Sequence, residues 1–236
     1  FTHEPAVLLA EKLLARLPFN QKKIFYSDNG STAVEVALKM AFQYWSNKGA
    51  ERVKVIAFEN AYHGDTFGGM SVGARNAFNL PFSKLLFDVI HIPVPVKGKE
   101  EITLQTLKKV VEEETISAFI FEPLVQGAGG MVMYSPEVLD ELIKICASKN
   151  IITIADEVMT GFGRTGKFFA SDYLKHKPDI ICLSKGITGG VMPLGVTSCA
   201  QFIYDVFLSD DKMKTFFHGH SYTANPTACS AALASM

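Results

Sequence analysis

The sequence predicts an α/β fold with a mostly parallel, doubly wound sheet between helical layers. Short apolar runs, bounded by charged residues, Gly or Pro, alternate with segments whose apolar residues recur at helical spacing. This alternation is typical of a parallel sheet covered by helices on both faces. Glycine-rich stretches at residues 127–130, 161–166 and 186–190 lie beside the apolar runs, in loops that carry function more often than stability.

The first helix is predicted over residues 4–17, because Pro5 favours a helix start and apolar residues then recur at helical spacing. A second helix is predicted over residues 31–47, and further helical patterns cover residues 104–114 and 136–149. Helices between strands can carry the chain from one parallel strand to the next.

The predicted strands are short and apolar, as expected for strands buried on both faces. They cover residues 23–28, 53–58, 89–92, 118–121, 151–155, 180–183 and 194–199. The last of them is expected to come from the return edge of the sheet.

Charge and composition argue against several classes of protein. The net charge of −1 and the pI near 6.7 are atypical of proteins that bind nucleic acids or membrane surfaces through charge. No signal peptide is visible, and no stretch approaches the roughly 18 apolar residues of a membrane span. The four cysteines lie far apart, without a CxxC motif, which indicates reduced thiols in a cytoplasmic protein and neither a disulfide framework nor a metal site.

Two residues with catalytic potential follow predicted strands. Asp156 comes directly after the run at 151–155, and Lys185 comes shortly after the run at 180–183. Ligands of open α/β sheets gather at the carboxyl ends of such strands. Pyridoxal phosphate requires this pair, because the lysine forms a Schiff base and the carboxylate keeps the pyridine nitrogen protonated. A structural ion pair at the strand ends is the alternative interpretation.

Gly30 and Ser31 lie where a predicted strand turns into a helix. Free N–H groups, the helix dipole and the serine hydroxyl could together bind a phosphate there. The order Asn-Gly-Ser before a helix is also typical of an ordinary N-cap, so both interpretations stay open.

Three further side chains follow strands. Tyr62 can stack on a flat cofactor, His63 can orient it, and Glu122 adds a carboxylate. Taken by itself, each motif fits better with a turn whose polar groups are satisfied by the backbone. Residues 127–130 are not a dinucleotide-binding loop, because they lack the G-x-G-x-x-G spacing and the acidic residue that follows it.

The order of these motifs is more informative than any one of them. It resembles the order found in class III (ω-type) pyridoxal-phosphate aminotransferases of fold type I. The segments that carry the resemblance are Asn29-Gly30-Ser31, Tyr62-His63-Gly64, Glu122-Pro123, Asp156-Glu157-Val158, GFGRTG at 161–166, Ser184-Lys185-Gly186 and Asn225-Pro226. The resemblance implies that residues 1–236 form the cofactor-binding large domain. We also expect an N-terminal segment and a C-terminal small domain beyond this sequence, since it starts without Met and stops inside an Ala-rich helical pattern.

The resemblance implies roles for individual residues. Lys185 would form the Schiff base and move protons, and Asp156 would pair with the pyridinium nitrogen. The other implied cofactor contacts within the chain are Gly30, Ser31, Tyr62, His63 and Glu122. Implied substrate contacts are Tyr62 and Lys185.

Gly219, His220 and Ser221 match a family segment that reaches the partner subunit's cofactor and substrate. The resemblance therefore implies a homodimer, with Gly219 at the substrate and with His220 and Ser221 at the cofactor. The family often has Gly-Pro-Thr or Gly-x-Thr at this place, so His220 and Ser221 depart from its pattern.

Within the class, residues 42–45, 62–72 and 125–131 match the biotin-pathway branch. Ornithine- and 4-aminobutyrate-type members usually carry glutamate in place of Ala128 and glutamine in place of Met159. The implied reaction transfers an amino group to 7-keto-8-aminopelargonate, with S-adenosylmethionine as the expected donor and lysine as the alternative. Another ω-aminotransferase, and a catalytically silent cofactor-binding or dimerisation module, are the competing interpretations.

Overall fold

The computed structural model describes residues 2–236, and Phe1 lies outside the described residues. The strands are β1 (Gln21–Ser27), β2 (Lys54–Phe58), β3 (Val89–Ile92), β4 (Ile116–Phe121), β5 (Val125–Gln126), β6 (Val132–Met133), β7 (Ile152–Asp156), β8 (Ile180–Leu183) and β9 (Gly195–Ala200). The helices are α1 (Glu4–Leu14), α2 (Gly30–Asn47), α3 (Phe67–Val72), α4 (Glu100–Glu113), α5 (Pro136–Ser148), α6 (Gln201–Asp205) and α7 (Pro226–Ser235).

One seven-stranded sheet has the strand order β1-β9-β8-β7-β4-β2-β3, and β5 and β6 form a separate antiparallel pair. Neighbours from β8 to β3 are parallel, whereas β9 is antiparallel to both β1 and β8. All strands of the sheet except β9 therefore run in the same direction. Their carboxyl ends meet at one edge, where β9 begins.

Helices cover both faces of this sheet. Alternate residues of β2 show the pattern, since Ile56 and Phe58 pack into one hydrophobic cluster and Val55 and Ala57 into the other. The first cluster includes residues of α1, α4, α5 and α7, and the second is built largely on α2. This arrangement confirms the predicted α/β architecture, because each strand with two buried faces needs a helical layer on each side.

The boundaries of most predicted elements were correct to within a few residues. The first helix ends at Leu14 instead of residue 17, because Ala15 forms its C-cap and Pro18 follows soon after. The expectation that residues 194–199 come from the return edge was wrong. β9 lies between β8 and β1, and β1 is the edge strand. All six residues of β9 are buried, as expected for a strand with a neighbour on each side.

No helix within residues 2–236 is both long enough and apolar enough to cross a bilayer.

Candidate active site

The carboxyl edge of the sheet opens into a cleft of about 770 Å³. It is lined by residues that follow β1, β2, β4, β7 and β8, together with the loop that leads into β9. The predicted site residues that line it are Gly30, Ser31, Tyr62, His63, Glu122, Asp156 and Lys185. The direction of the strands brings these residues together, although they are distant in sequence.

Asp156 and His63 form a buried polar pair in this cleft. His63 Nδ1 donates a hydrogen bond of 2.7 Å to Asp156 Oδ2, and the Val158 N–H donates one of 3.1 Å to Oδ1. Both side chains are almost fully buried. His63 Nε2 is buried without a hydrogen-bond partner among residues 2–236. The position of His63 fixes the rotation of the Asp156 carboxylate, and its direct contact with a cofactor stays a prediction.

Glu122 joins two loops of the cleft. Its carboxylate accepts hydrogen bonds from the N–H groups of Tyr62, at 3.3 Å, and Gly127, at 3.0 Å. Burial raises the pKa of Glu122, and the nearby His63 and the two N–H groups offset this only in part. Backbone N–H groups thus satisfy the carboxylate, as expected if Glu122 belongs to a turn and is not a cofactor ligand. The residue nevertheless borders the cleft.

Tyr62 presents an aromatic side chain at the rim of the cleft. Its hydroxyl donates a hydrogen bond of 2.8 Å to Asp65 Oδ2. Burial, this hydrogen bond and the charges of Asp65 and Asp156 raise the pKa of Tyr62 to about 12. The phenol therefore keeps its proton at neutral pH, so Tyr62 can stack or donate a hydrogen bond but cannot act as a base.

The start of α2 satisfies both interpretations of the Asn-Gly-Ser segment. Asn29 Oδ1 accepts a hydrogen bond of 2.9 Å from the Thr32 N–H, and Thr32 Oγ1 accepts one of 3.1 Å from the Asn29 N–H. This capping box leaves the N–H groups of Gly30 and Ser31 without partners among the described residues. Two N–H groups and the Ser31 hydroxyl thus remain available for an anion.

Close backbone packing at this helix start explains two glycines. A Cβ atom on Gly30 would lie 2.6 Å from Val158 Cγ1. A Cβ atom on Gly64, which has a φ of +105°, would lie 2.1 Å from Ser31 Oγ. Neither position has room for a side chain, so the Val158 side chain and the loop at Gly64 lie directly against the start of α2.

Lys185 lies at the start of a short 3₁₀ turn after β8, with a φ of +46°. This left-handed conformation is unusual for a residue other than glycine, and such conformations cluster at functional sites. The side chain is exposed in the cleft, and Nζ has neither a hydrogen bond nor an ion pair within residues 2–236. The side chain that contacts the Asp156 carboxylate in the described chain is His63, so an Asp156–Lys185 structural pair is absent there.

An apolar wall of the cleft was not predicted. It is formed by Val158, Met159, Val191, Met192 and Leu194. The first two follow β7, and the others lie in the loop before β9. The strand-end rule that identified Asp156 would also have found Val158 and Met159, had it been applied to apolar residues. It makes no prediction for the other three, because they precede a strand.

Gly219, His220 and Ser221 do not line the cleft of their own chain. They lie in a turn in which the His220 N–H donates to Thr223 Oγ1 at 3.1 Å and the Tyr222 N–H donates to His220 Nδ1 at 3.2 Å. Their predicted contacts depend on a second subunit and stay a prediction.

The whole chain, residues 1–236, matches the family model described as Aminotransferase class-III. It is 52% identical over 244 residues to the adenosylmethionine-8-amino-7-oxononanoate aminotransferase of Synechococcus elongatus, a match that covers 100% of this chain and 58% of that protein. It also resembles the crystal structure of the enzyme of the same name from Methanocaldococcus jannaschii. The TM-score is 0.94 and the identity 42%, with 100% of this chain and 55% of the other covered.

A third relative is an amine transaminase from an uncultivated Pseudomonas species, solved in its PLP-bound (internal aldimine) form. Its TM-score is 0.93 and its identity 35%, over 100% of this chain and 56% of the other. The chain thus spans little more than half the length of the relatives that it matches. The family match covers all of this chain, and it agrees with the resemblance seen in the sequence. The fold and the position of the cleft at the strand ends agree with it as well. The chain belongs to the class-III aminotransferase family.

Proposed function

We propose that the protein carrying this chain is a pyridoxal-phosphate-dependent aminotransferase of biotin biosynthesis. It would convert 7-keto-8-aminopelargonate to 7,8-diaminopelargonate, with S-adenosylmethionine as amino donor. The observation that carries the proposal is the placement of Asp156 and Lys185 in one cleft, at the ends of the adjacent parallel strands β7 and β8. The 52% identity to an enzyme named for this reaction supports the choice of substrates. The proposed location is the cytoplasm, in keeping with four free cysteines.

The residues of the cleft fit the proposed cofactor. The unpartnered N–H groups of Gly30 and Ser31, at the start of a helix of 18 residues, suit a phosphate. Asp156 suits a protonated ring nitrogen, because each of its carboxylate oxygens accepts only one hydrogen bond from the described chain. The volume of about 770 Å³ lies within the usual range of ligand pockets.

The chain supplies binding and proton transfer to the proposed reaction. When bound, pyridoxal phosphate provides a conjugated ring that accepts the electron pair left when a proton leaves the amino-bearing carbon. Asp156 would hold a proton at the ring nitrogen, and His63 keeps the carboxylate in one orientation. Lys185 Nζ would attach the cofactor covalently. Once the substrate amino group has replaced Nζ in that bond, the freed lysine amine would take the proton from one carbon and give it to the other. Gly30 and Ser31 would hold the phosphate.

The proposal includes a homodimer with sites completed across its interface. Two N–H groups and one hydroxyl leave phosphate oxygens that still need donors. Ser221 is exposed in its own chain and lies outside its own cleft, so its hydroxyl is available to the partner's site. A two-fold symmetric dimer would place two such contacts at equivalent positions.

A second candidate is an aminotransferase for other ω-amines, which the 0.93 TM-score to an amine transaminase favours. The full-length protein should be assayed with 7-keto-8-aminopelargonate and with simple keto acids, each with S-adenosylmethionine, lysine and an ω-amine as donor. We expect the highest kcat/KM for 7-keto-8-aminopelargonate when S-adenosylmethionine is the donor. Preference for lysine would change the donor, and preference for simple keto acids with the ω-amine would favour the second candidate.

The role of Lys185 has a separate test. Borohydride reduction of the cofactor-loaded protein should fix the cofactor to Lys185, and Lys185→Ala should abolish both the labelling and the visible absorbance. Labelling of a different lysine would contradict the assignment. A wild-type protein that takes up no pyridoxal phosphate would indicate a catalytically silent module.

A further inference from the structure

Glu157 is a fully buried carboxylate beside the cleft, and the proposed chemistry does not use it. Oε2 accepts hydrogen bonds from Thr160 Oγ1, at 2.6 Å, and from the Ala170 N–H, at 3.0 Å. Oε1 accepts one of 2.6 Å from the Ser171 N–H. Burial raises the pKa of Glu157 and these donors oppose the shift, because all of them favour the ionised carboxylate.

The three donors lie at the two ends of one segment. We call residues 158–169 the glycine loop, since they contain the GFGRTG sequence. Thr160 lies near its start, and Ala170 and Ser171 follow its end. The carboxylate of Glu157 therefore closes the glycine loop by holding its two ends together.

Two side chains of the glycine loop pack against glycines next to the proposed cofactor site. Val158 packs against Gly30 so closely that a Cβ atom there would lie 2.6 Å from Val158 Cγ1. Phe162 packs against Gly186, where a Cβ atom would lie 3.0 Å from Phe162 Cβ. One contact supports the start of α2, and the other supports the backbone directly after Lys185.

We infer that Glu157 is a positioning residue for the cofactor site. Its carboxylate holds the glycine loop so that Val158 and Phe162 keep the start of α2 and the Lys185 backbone in their places. The inference rests on the proposed function, since it assumes that pyridoxal phosphate occupies the cleft. Glu157 itself would touch neither cofactor nor substrate.

Asp179 provides a matched control. It is a half-buried carboxylate, and it accepts hydrogen bonds from the Thr153 N–H, at 2.8 Å, and from Thr153 Oγ1, at 2.9 Å. It precedes β8, at the opposite edge of the sheet from the cleft. Replacing one carboxylate oxygen by an NH₂ group should weaken these hydrogen bonds without changing the cofactor site, so a purely structural role for Glu157 predicts similar behaviour in both variants.

The test compares Glu157→Gln and Asp179→Asn with the wild type, each as the full-length protein. Glutamine has nearly the same shape as glutamate, but its side-chain NH₂ group replaces one carboxylate oxygen. The donor that faced this oxygen then has no acceptor. Titration of the apo-protein with pyridoxal phosphate should give a Kd about tenfold higher for Glu157→Gln, the scale of one lost hydrogen bond to a charged group. Asp179→Asn should leave the Kd within about twofold, on the ground that sites far apart act independently.

Hydrogen exchange of the apo-proteins gives a readout that needs no cofactor. Amides of residues 158–169 should exchange faster in Glu157→Gln than in Asp179→Asn. Equal Kd values and equal exchange in the two variants would overturn the inference alone. A wild type that binds no pyridoxal phosphate would overturn the proposed function and this inference with it. If Glu157→Gln does not fold, Thr160→Val removes one donor, and an unchanged Kd and exchange pattern would be decisive against the inference.

Discussion

Gly30→Ala perturbs the close contact between the start of α2 and Val158. The new Cβ atom would lie 2.6 Å from Val158 Cγ1 and 3.2 Å from Cγ2, so one of the two segments must move. Overpacking of this kind costs about 1–3 kcal/mol. Alanine has a higher helix propensity than glycine by up to about 1 kcal/mol, and this gain is smaller at the first helical position. The clash therefore dominates and displaces the N–H groups of Gly30 and Ser31.

The expected result is a weaker affinity for pyridoxal phosphate, by about tenfold or 1.4 kcal/mol. The assay is a titration of the apo-protein followed by the visible absorbance of the bound cofactor. Val158→Ala supplies the compensating change, because it removes both Cγ atoms and leaves Val158 Cβ as the nearest of the three side-chain atoms, at 3.5 Å. The double variant should regain about 1 kcal/mol relative to the sum of the two single variants.

Strict additivity of the two substitutions would refute this reasoning. In that case the loss in Gly30→Ala would come from a local change in the helix backbone and not from the contact with Val158. Wild-type affinity in Gly30→Ala alone would show that α2 and the glycine loop can separate at no cost to the phosphate site.

Three further substitutions test other parts of the structure. Asp156→Asn should keep the fold and much of the cofactor affinity but reduce kcat by orders of magnitude, because a neutral amide no longer favours a protonated ring nitrogen. An unchanged kcat in steady-state assays would indicate that Asp156 has only a structural role. Ser221→Ala should weaken cofactor binding in the full-length dimer by about 1–2 kcal/mol, as expected for one lost charge-assisted hydrogen bond, and a monomer that retains the cofactor would contradict the dimer. Burial alone would raise the pKa of Asp140, but hydrogen bonds from His176 and the Lys175 N–H outweigh it and lower that pKa. The stabilisation is thus present above the ordinary carboxyl pKa near 4 and lost as pH falls through the lowered value. Urea unfolding should show Asp140→Asn less stable than the wild type at pH 7 and the difference shrinking below pH 4; a constant difference would argue against ionisation as the cause.

Local sequence patterns predicted most of the fold because they reflect which residues of each element are buried. Strands with two buried faces are continuous apolar runs, and the helices between them show one apolar face, so the type and order of the main elements followed from the sequence. The short helix α3 was missed because its sequence, Phe67–Val72, contains two glycines and has low helix propensity. Its formation depends on a distant residue, since Glu35 accepts hydrogen bonds from the N–H groups of Gly68 and Gly69.

The position of the cleft was predictable for the same reason as the fold. Parallel strands end at one edge, so Asp156 and Lys185 could be placed together from the runs that precede them. The pairing of His63 with Asp156 and the closure of the glycine loop by Glu157 were not predictable. They depend on side-chain directions and on strand order, which no local pattern in a single sequence records.

The reversed direction of β9 has a consequence for how the cleft can be altered. The chain leaves β8 at the cleft and enters β9 at the same edge, so residues 184–194 form a loop whose two ends are both fixed there. Ser184 Oγ donates a hydrogen bond of 2.6 Å to the Leu194 carbonyl oxygen and closes the base of this loop. Insertions or deletions between Gly189 and Pro193 would therefore change the wall of the cleft and leave the register of β8 and β9 intact. This segment is the natural place to vary loop length when the range of accepted substrates is to be engineered.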